Sequence, residues 1–157
     1  MAVSTLRAEV ADLLSRLIRV DTTNPPGNET AAAELLRDYL EANGVECELY
    51  ARVPERANLV ARLRGRGDGP SLLLLGHTDV VLADARDWSV PPFSGEVRDG
   101  EVWGRGALDM KSQVAAGRAC YCSRTPTSCL RTRPNGTPIR SGASCAATRC
   151  GGAARST

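Results

Sequence analysis

The sequence predicts an α/β layered domain built on a mixed sheet. Three observations carry that expectation. Two amphipathic helical patterns lead the chain, strand-length segments follow them, and one of those segments, residues 71–75, is apolar almost throughout.

Residues 5–20 read as the first helix. Leu6, Val10, Leu13, Leu14, Leu17 and Ile18 recur at three- and four-residue spacing, and Ser4 or Thr5 can cap them. Asn24-Pro25-Pro26-Gly27 breaks that helix. Asn28 restarts one as an N-cap, with Glu29 in its first turn facing the positive end of the dipole. Ala32, Leu35, Leu36, Tyr39 and Leu40 form its buried stripe, and Asn43-Gly44 supplies a left-handed stop.

Residues 45–53 read as a strand. Residues 58–64 alternate Leu59, Ala61 and Leu63 against Val60, Arg62 and Arg64, so they read as a strand with one wetter face. Residues 65–70 form a short turn, which predicts antiparallel pairing of the strands on either side. Ser71 to Leu75 then read as a central strand covered on both faces. Asp99-Gly100 between residues 96–98 and 101–103 is a strong hairpin signal. Asp109 onward reads as the opening of a helix through Ala116.

Composition divides the chain sharply. All 18 acidic residues lie at or before Asp109, so residues 1–111, with 13 basic residues, are net −5. Residues 112–157 hold seven Arg and no Asp, Glu or His. Five of the six cysteines, Cys120, Cys122, Cys129, Cys145 and Cys150, crowd the same end, and only Cys47 stands early. Residues 118–157 therefore read as an Arg/Cys-rich tail, too poor in large apolar residues to offset its ordering entropy, and disordered. A shifted reading frame of a GC-rich gene, slipping near residues 117–120, accounts for this better than a cysteine module or a functional basic tail. The cysteine spacings do not match paired zinc-binding motifs. Without interleaved aromatics, the seven arginines amount to nonspecific charge toward nucleic acid. No apolar run approaches a membrane span, and the first residues lack a secretory pattern, so the expected location is the cytoplasm.

Chemistry concentrates in two clusters. Gly76-His77-Thr78-Asp79 follows the apolar segment, and ligands of open α/β sheets bind beyond the carboxyl ends of strands. His77, the sole histidine, suits a metal ligand with a carboxylate beside it. Taken alone, it is more often a surface or core histidine. The second cluster, Trp103-Gly104-Arg105-Gly106-Ala107-Leu108-Asp109-Met110-Lys111, delivers Asp109 after a glycine loop. A carboxylate there can bridge two divalent ions, although a helix N-cap is the simpler reading of Asp109 by itself.

In this order and about thirty residues apart, the two clusters resemble the signatures of the zinc-dependent aminoacylase/carboxypeptidase metallopeptidases. That family includes acetylornithine deacetylase, succinyl-diaminopimelate desuccinylase, aminoacylase and glutamate carboxypeptidase. The turn from Val20 to Glu29 and the segment Arg56-Ala57-Asn58-Leu59-Val60-Ala61 resemble the same family, so residues 1–117 are similar to the N-terminal part of its catalytic domain.

The resemblance implies a three-layer α/β/α zinc-exopeptidase-like fold with a mixed sheet, truncated here. It implies two divalent metal ions, zinc with cobalt or manganese as alternatives. His77 would ligate one ion, Asp109 would bridge both, and catalytic Asp79 would orient His77. The implied reaction is hydrolysis of an amide bond in an N-acyl amino acid or a peptide end. The family's general-base Glu, its remaining ligands and its dimerisation domain have no counterpart, since no acid or histidine follows Asp109. The chain is accordingly expected to be inactive alone and poorly soluble. The alternative is a non-catalytic, partly folded fragment with a basic, nonspecifically binding tail.

Overall fold

The computed structural model describes residues 2–64 and 70–122. Expectations for the sequence beyond Cys122, including the disordered tail and most of the cysteine cluster, lie outside the described residues.

The leading apolar repeat forms α1 (Ala2–Arg19) and the second forms α2 (Glu29–Ala42). Leu13, Leu17 and Ile18 of α1 and Ala32, Leu36 and Leu40 of α2 are the buried stripes that their spacing predicts. Gly44, at φ +75°, ends α2 as expected. Asn28 occupies the N-cap position but makes no side-chain capping bond; its amide donates to the Asp21 carbonyl at 3.4 Å instead. Glu29 turns inward and pairs with Arg56, whose Nε and Nη2 donate to its carboxylate at 3.2 and 3.0 Å.

β1 (Glu46–Ala51) and β2 (Ala57–Arg62) pair antiparallel, with Leu49 opposite Leu59. Leu59 and Ala61 face inward while Asn58, Val60 and Arg62 face water, the alternation expected of a half-buried strand. Thr30 stitches this pair to α2. Its Oγ1 donates to Pro54 O at 2.6 Å and accepts from Ala57 N at 2.9 Å. The hairpin is β3 (Glu96–Arg98) and β4 (Glu101–Trp103), turning through Asp99 and Gly100, both at positive φ.

The last element among the described residues, α3 (Ser112–Cys122), brings Val114 and Ala115 into one core cluster with residues of α1 and α2. It begins three residues later than expected. Residues Ala107–Lys111 form an irregular turn in which Asp109 and Met110 leave helical geometry, so Asp109 does not open the helix.

Two expectations fail at residues 71–75. No strand forms there, and Leu72, Leu73, Leu74 and Leu75 are 75, 76, 54 and 82% exposed. The pairing expected across residues 65–70 is also absent: β2 pairs with β1 along one edge, and residues 71–75 do not take up the other. Instead of one mixed sheet, the described residues hold two antiparallel pairs and a single parallel bridge, Thr23 to Val80. An apolar run identifies a segment suited to burial, but a central strand exists only where neighbours cover it, and none of the described elements does.

An extended, uncharged leucine run is an aggregation site. Replacing Leu73 and Leu75 with Thr is expected to suppress self-association in light scattering. The same change should leave the thermal midpoint within a few degrees, since side chains this exposed bury little. Unchanged scattering would place the sticky surface elsewhere.

Candidate metal centre

Two segments carry the chemical side chains, and packing against α1 brings them together. The first, residues 76–80, is held by the turn that follows α1. Asn24 N donates to Val80 O at 2.9 Å and Val80 N to Thr22 O at 3.1 Å. Thr22 is fully buried, and its hydroxyl donates to Thr78 O at 2.5 Å. The second segment is the glycine loop. Gly106 sits at φ +80°, and a Cβ there would lie 2.6 Å from Val80 Cγ1. Only glycine permits that conformation and that approach. Arg105 N donates to Pro92 O at 2.7 Å, and its guanidinium lies over the Trp88 ring at 5.0 Å, tying the loop to the residues before the hairpin.

Lys111 completes the anchorage. It is wholly buried, and its ammonium donates to Leu17 O and Val20 O, both at 2.9 Å. Burial pushes its pKa down to about 8, against the opposing attraction of Asp21.

This scaffold places His77 Nε2 3.2 Å from Asp109 Oδ1 and His77 Nδ1 3.1 Å from both the carbonyl and Oδ1 of Asp79. The second Asp79 oxygen, Oδ2, accepts from Asn24 Nδ2 at 3.1 Å. His77, Asp79 and Asp109, separated by up to 32 positions in sequence, therefore adjoin. His77 and Asp109 are exposed, and His77 and Asp79 line an open groove of about 880 Å³ together with Leu75, Met110 and Val114.

Both imidazole nitrogens face oxygen acceptors. Burial of His77 opposes its protonation, but the Asp79 carbonyl, the Asp109 carboxylate and the two negative charges outweigh it, and its pKa is raised. Asp79 is held below the ordinary carboxylate value, first by the Asn24 amide, and the His77 charge adds to that against the effect of burial.

With Nδ1 turned to Asp79, Nε2 and Asp109 Oδ1 present electron pairs to each other. A cation between them, a proton or a metal ion, satisfies both. Two donors bound to one tetrahedral ion at roughly 2.0–2.1 Å stand a little over 3 Å apart, so the spacing suits a shared ion. The donor set goes no further. Among the described residues no group of three or more His, Cys, Asp and Glu is gathered for a metal ion.

Residues 73–123 match the family model of peptidase family M20/M25/M40. The N-terminal part of this chain thus matches that family. The matched segment contains both clusters and runs to the end of the described residues. A succinyl-diaminopimelate desuccinylase from Paracoccus denitrificans is 44% identical over 122 residues, covering 74% of this chain and 30% of that protein. One from Roseobacter denitrificans is 42% identical over 105 residues, 66% of this chain and 27% of that protein. An N-formyl-4-amino-5-aminomethyl-2-methylpyrimidine deformylase from Halalkalibacterium halodurans is 36% identical over 114 residues, 70% of this chain and 27% of that protein. The chain thus spans under a third of the length of these M20 relatives.

Reading by pattern missed Asn24 and Lys111 as parts of this site. Lys111 had two signals, being the only lysine in the chain and the last residue of the second cluster. Asn24 had only its place before two prolines in the Val20–Glu29 turn, and nothing to link it to Asp79, because that partner is 55 residues away. Among the described residues no helix is long and apolar enough to cross a membrane.

Proposed function

We propose that this chain contributes part of a divalent-metal centre to a hydrolase of amide bonds, acting on an N-acyl amino acid or a peptide end. His77, through Nε2, and Asp109 would hold the metal, and Asp79 would orient the imidazole. Zinc is the proposed metal, with cobalt or manganese as alternatives; the location is cytoplasmic, and the parent fold is a three-layer α/β/α domain. The observation that supports this is the 3.2 Å approach of His77 Nε2 to Asp109 Oδ1 in a segment that matches a peptidase family.

Bound ions of this kind polarise a carbonyl and activate water. This chain's own residues hold the imidazole in one orientation and keep a carboxylate facing it. They do not complete a centre. Catalytic zinc takes about three protein ligands besides water, and the described residues supply two. Residues 110–157 hold no Asp, Glu or His to act as general base. Residues 1–117 acting as a segment of that domain, inactive alone, is the reading this favours.

Calorimetric titration with zinc tests the centre. The expected result is saturable binding by the native chain that weakens in His77→Ala and Asp109→Asn. The loss should exceed the roughly ten- to hundredfold typical of removing an outer hydrogen-bond partner. Absence of saturable binding, or binding indifferent to both substitutions, would overturn the assignment.

A further inference from the structure

We propose that Asn24 is the positioning residue of this site: its amide fixes the Asp79 carboxylate, which in turn selects the His77 tautomer that leaves Nε2 open to a cation. This rests on His77 being a ligand.

The placement of Asn24 is over-determined. Its backbone N–H is bonded to Val80 O, and Thr22 on its other side takes the Val80 N–H and reaches Thr78 with its hydroxyl. Residues 22–24 therefore run locked alongside residues 78–80 with Thr23 opposite Val80, which leaves the Asn24 side chain within reach of Asp79. The turn itself is pinned. Thr23 N and Oγ1 both donate to Asp21 Oδ1, at 2.9 and 2.6 Å, and Gly27 N donates to Thr23 O at 2.9 Å. Pro25 holds the residue before it out of the helical region, so Asn24 has little backbone freedom.

The side chain uses that fixed position. Asp79 has two carboxylate oxygens with separate tasks: Oδ2 accepts from Asn24 Nδ2 at 3.1 Å, and Oδ1 stands 3.1 Å from His77 Nδ1. A carboxylate gripped at one oxygen cannot turn about its terminal bond without breaking that grip, so the other oxygen stays aimed at the ring. The tautomer of an imidazole follows the hydrogen bond made by its second nitrogen. Nδ1 faces two acceptors, the Asp79 carbonyl and Oδ1, against the single Asp109 oxygen at Nε2, so a carboxylate held at Nδ1 tips the proton there and leaves the Nε2 electron pair to a cation. An amide is suited to this work, since it donates to a carboxylate without adding a charge. Aspartate at the same position would oppose a second carboxylate to Asp79.

The chain has one histidine, so a long-range proton–nitrogen NMR correlation reports His77 alone. In mildly alkaline, metal-free solution the native chain is expected to show mainly the Nδ1–H form. Asn24→Ala should shift the population toward the Nε2–H form that free imidazole prefers. Its zinc affinity should fall about ten- to a hundredfold, as outer-partner losses do. Asp79→Ala should give the same shift, and the double variant should be no worse than Asp79→Ala alone, because the two residues act in series.

A merely structural Asn24 predicts additive losses and an unaltered tautomer, and either result in a folded variant overturns the proposal. Should circular dichroism show Asn24→Ala unfolded, the near-isosteric Asn24→Asp carries the comparison. If the native chain binds no zinc, the metal reading fails while the tautomer comparison still decides the role of Asn24. If zinc binds normally and Asn24→Ala leaves the tautomer unchanged, only the present inference falls.

Discussion

Gly95→Ala is expected to cost about 4 kcal/mol or more, placing it among the rare severe single substitutions. Two faults coincide there. Gly95 sits at φ +57°, a left-handed conformation that costs a residue with a Cβ roughly 1–2 kcal/mol. The added Cβ would also lie 2.3 Å from Ser15 O, a backbone atom one turn before the C-terminal end of α1. Relief requires moving the helix or the loop, and both are tied. The Ser15 hydroxyl donates to Gly95 O at 2.5 Å, and Arg19 Nε donates to Ser94 O at 3.1 Å. Gly44→Ala is the natural control. Gly44 has a similar positive φ of +75° and nothing within 4 Å of a new Cβ, so only the conformational part applies, about 1–2 kcal/mol. Urea unfolding of the two variants separates strain from collision. Equal losses would show that the α1–Gly95 contact yields at no cost.

That contact also explains what could be read in advance. Local patterns located both leading helices and the hairpin, because their information is local: the apolar stripe of α1, the Asn43-Gly44 stop and the Asp99-Gly100 turn lie within a few residues of what they specify. The two clusters also carried enough pattern to single out His77, Asp79 and Asp109 before their contact was known. Residues 71–75 failed for the opposite reason. Four leucines report an appetite for burial, while a strand needs partners, and partners are a property of the whole fold. Asp109 was misplaced at a helix start because a carboxylate before Ser112 resembles a cap, whereas the tight glycine loop around Gly104 and Gly106 delays the helix by three residues.

The same division holds for charge. Glu29 looked like a dipole-compensating residue of the α2 first turn, which is a local role. Its Arg56 partner lies 27 residues on, beyond the reach of any helical pattern. Asn24 and Asp79, like Glu29 and Arg56, meet only after α1, the turn and the 76–80 segment have packed. The parts of the site that pattern could not reveal are thus the ones that hold its groups still.

Lys111→Ala is expected to cost about 3–5 kcal/mol, and comparison with Lys111→Met shows why. The ammonium caps the C-terminal end of α1 through Leu17 O and Val20 O, where a cation also meets the negative end of the dipole. Two bonds from a charged donor contribute roughly 1.5–3 kcal/mol each. Against them stands the cost of keeping the charge out of water. A lysine pushed down to about 8 from 10.5 carries a penalty of about 3 kcal/mol for its charged form at neutral pH. Methionine preserves the length of the stem, loses the bonds and escapes the penalty, so its net change should stay within about 1–2 kcal/mol. Alanine loses the stem as well and leaves a cavity beneath the loop, which typically costs about 2–5 kcal/mol. Zinc titration adds a second readout, because Lys111 anchors the turn that carries Asp109. Affinity should fall in Lys111→Ala more than in Lys111→Met. A fully buried lysine whose alanine variant unfolds at the native urea midpoint would mean that the turn is held by its glycines and by Val80 alone.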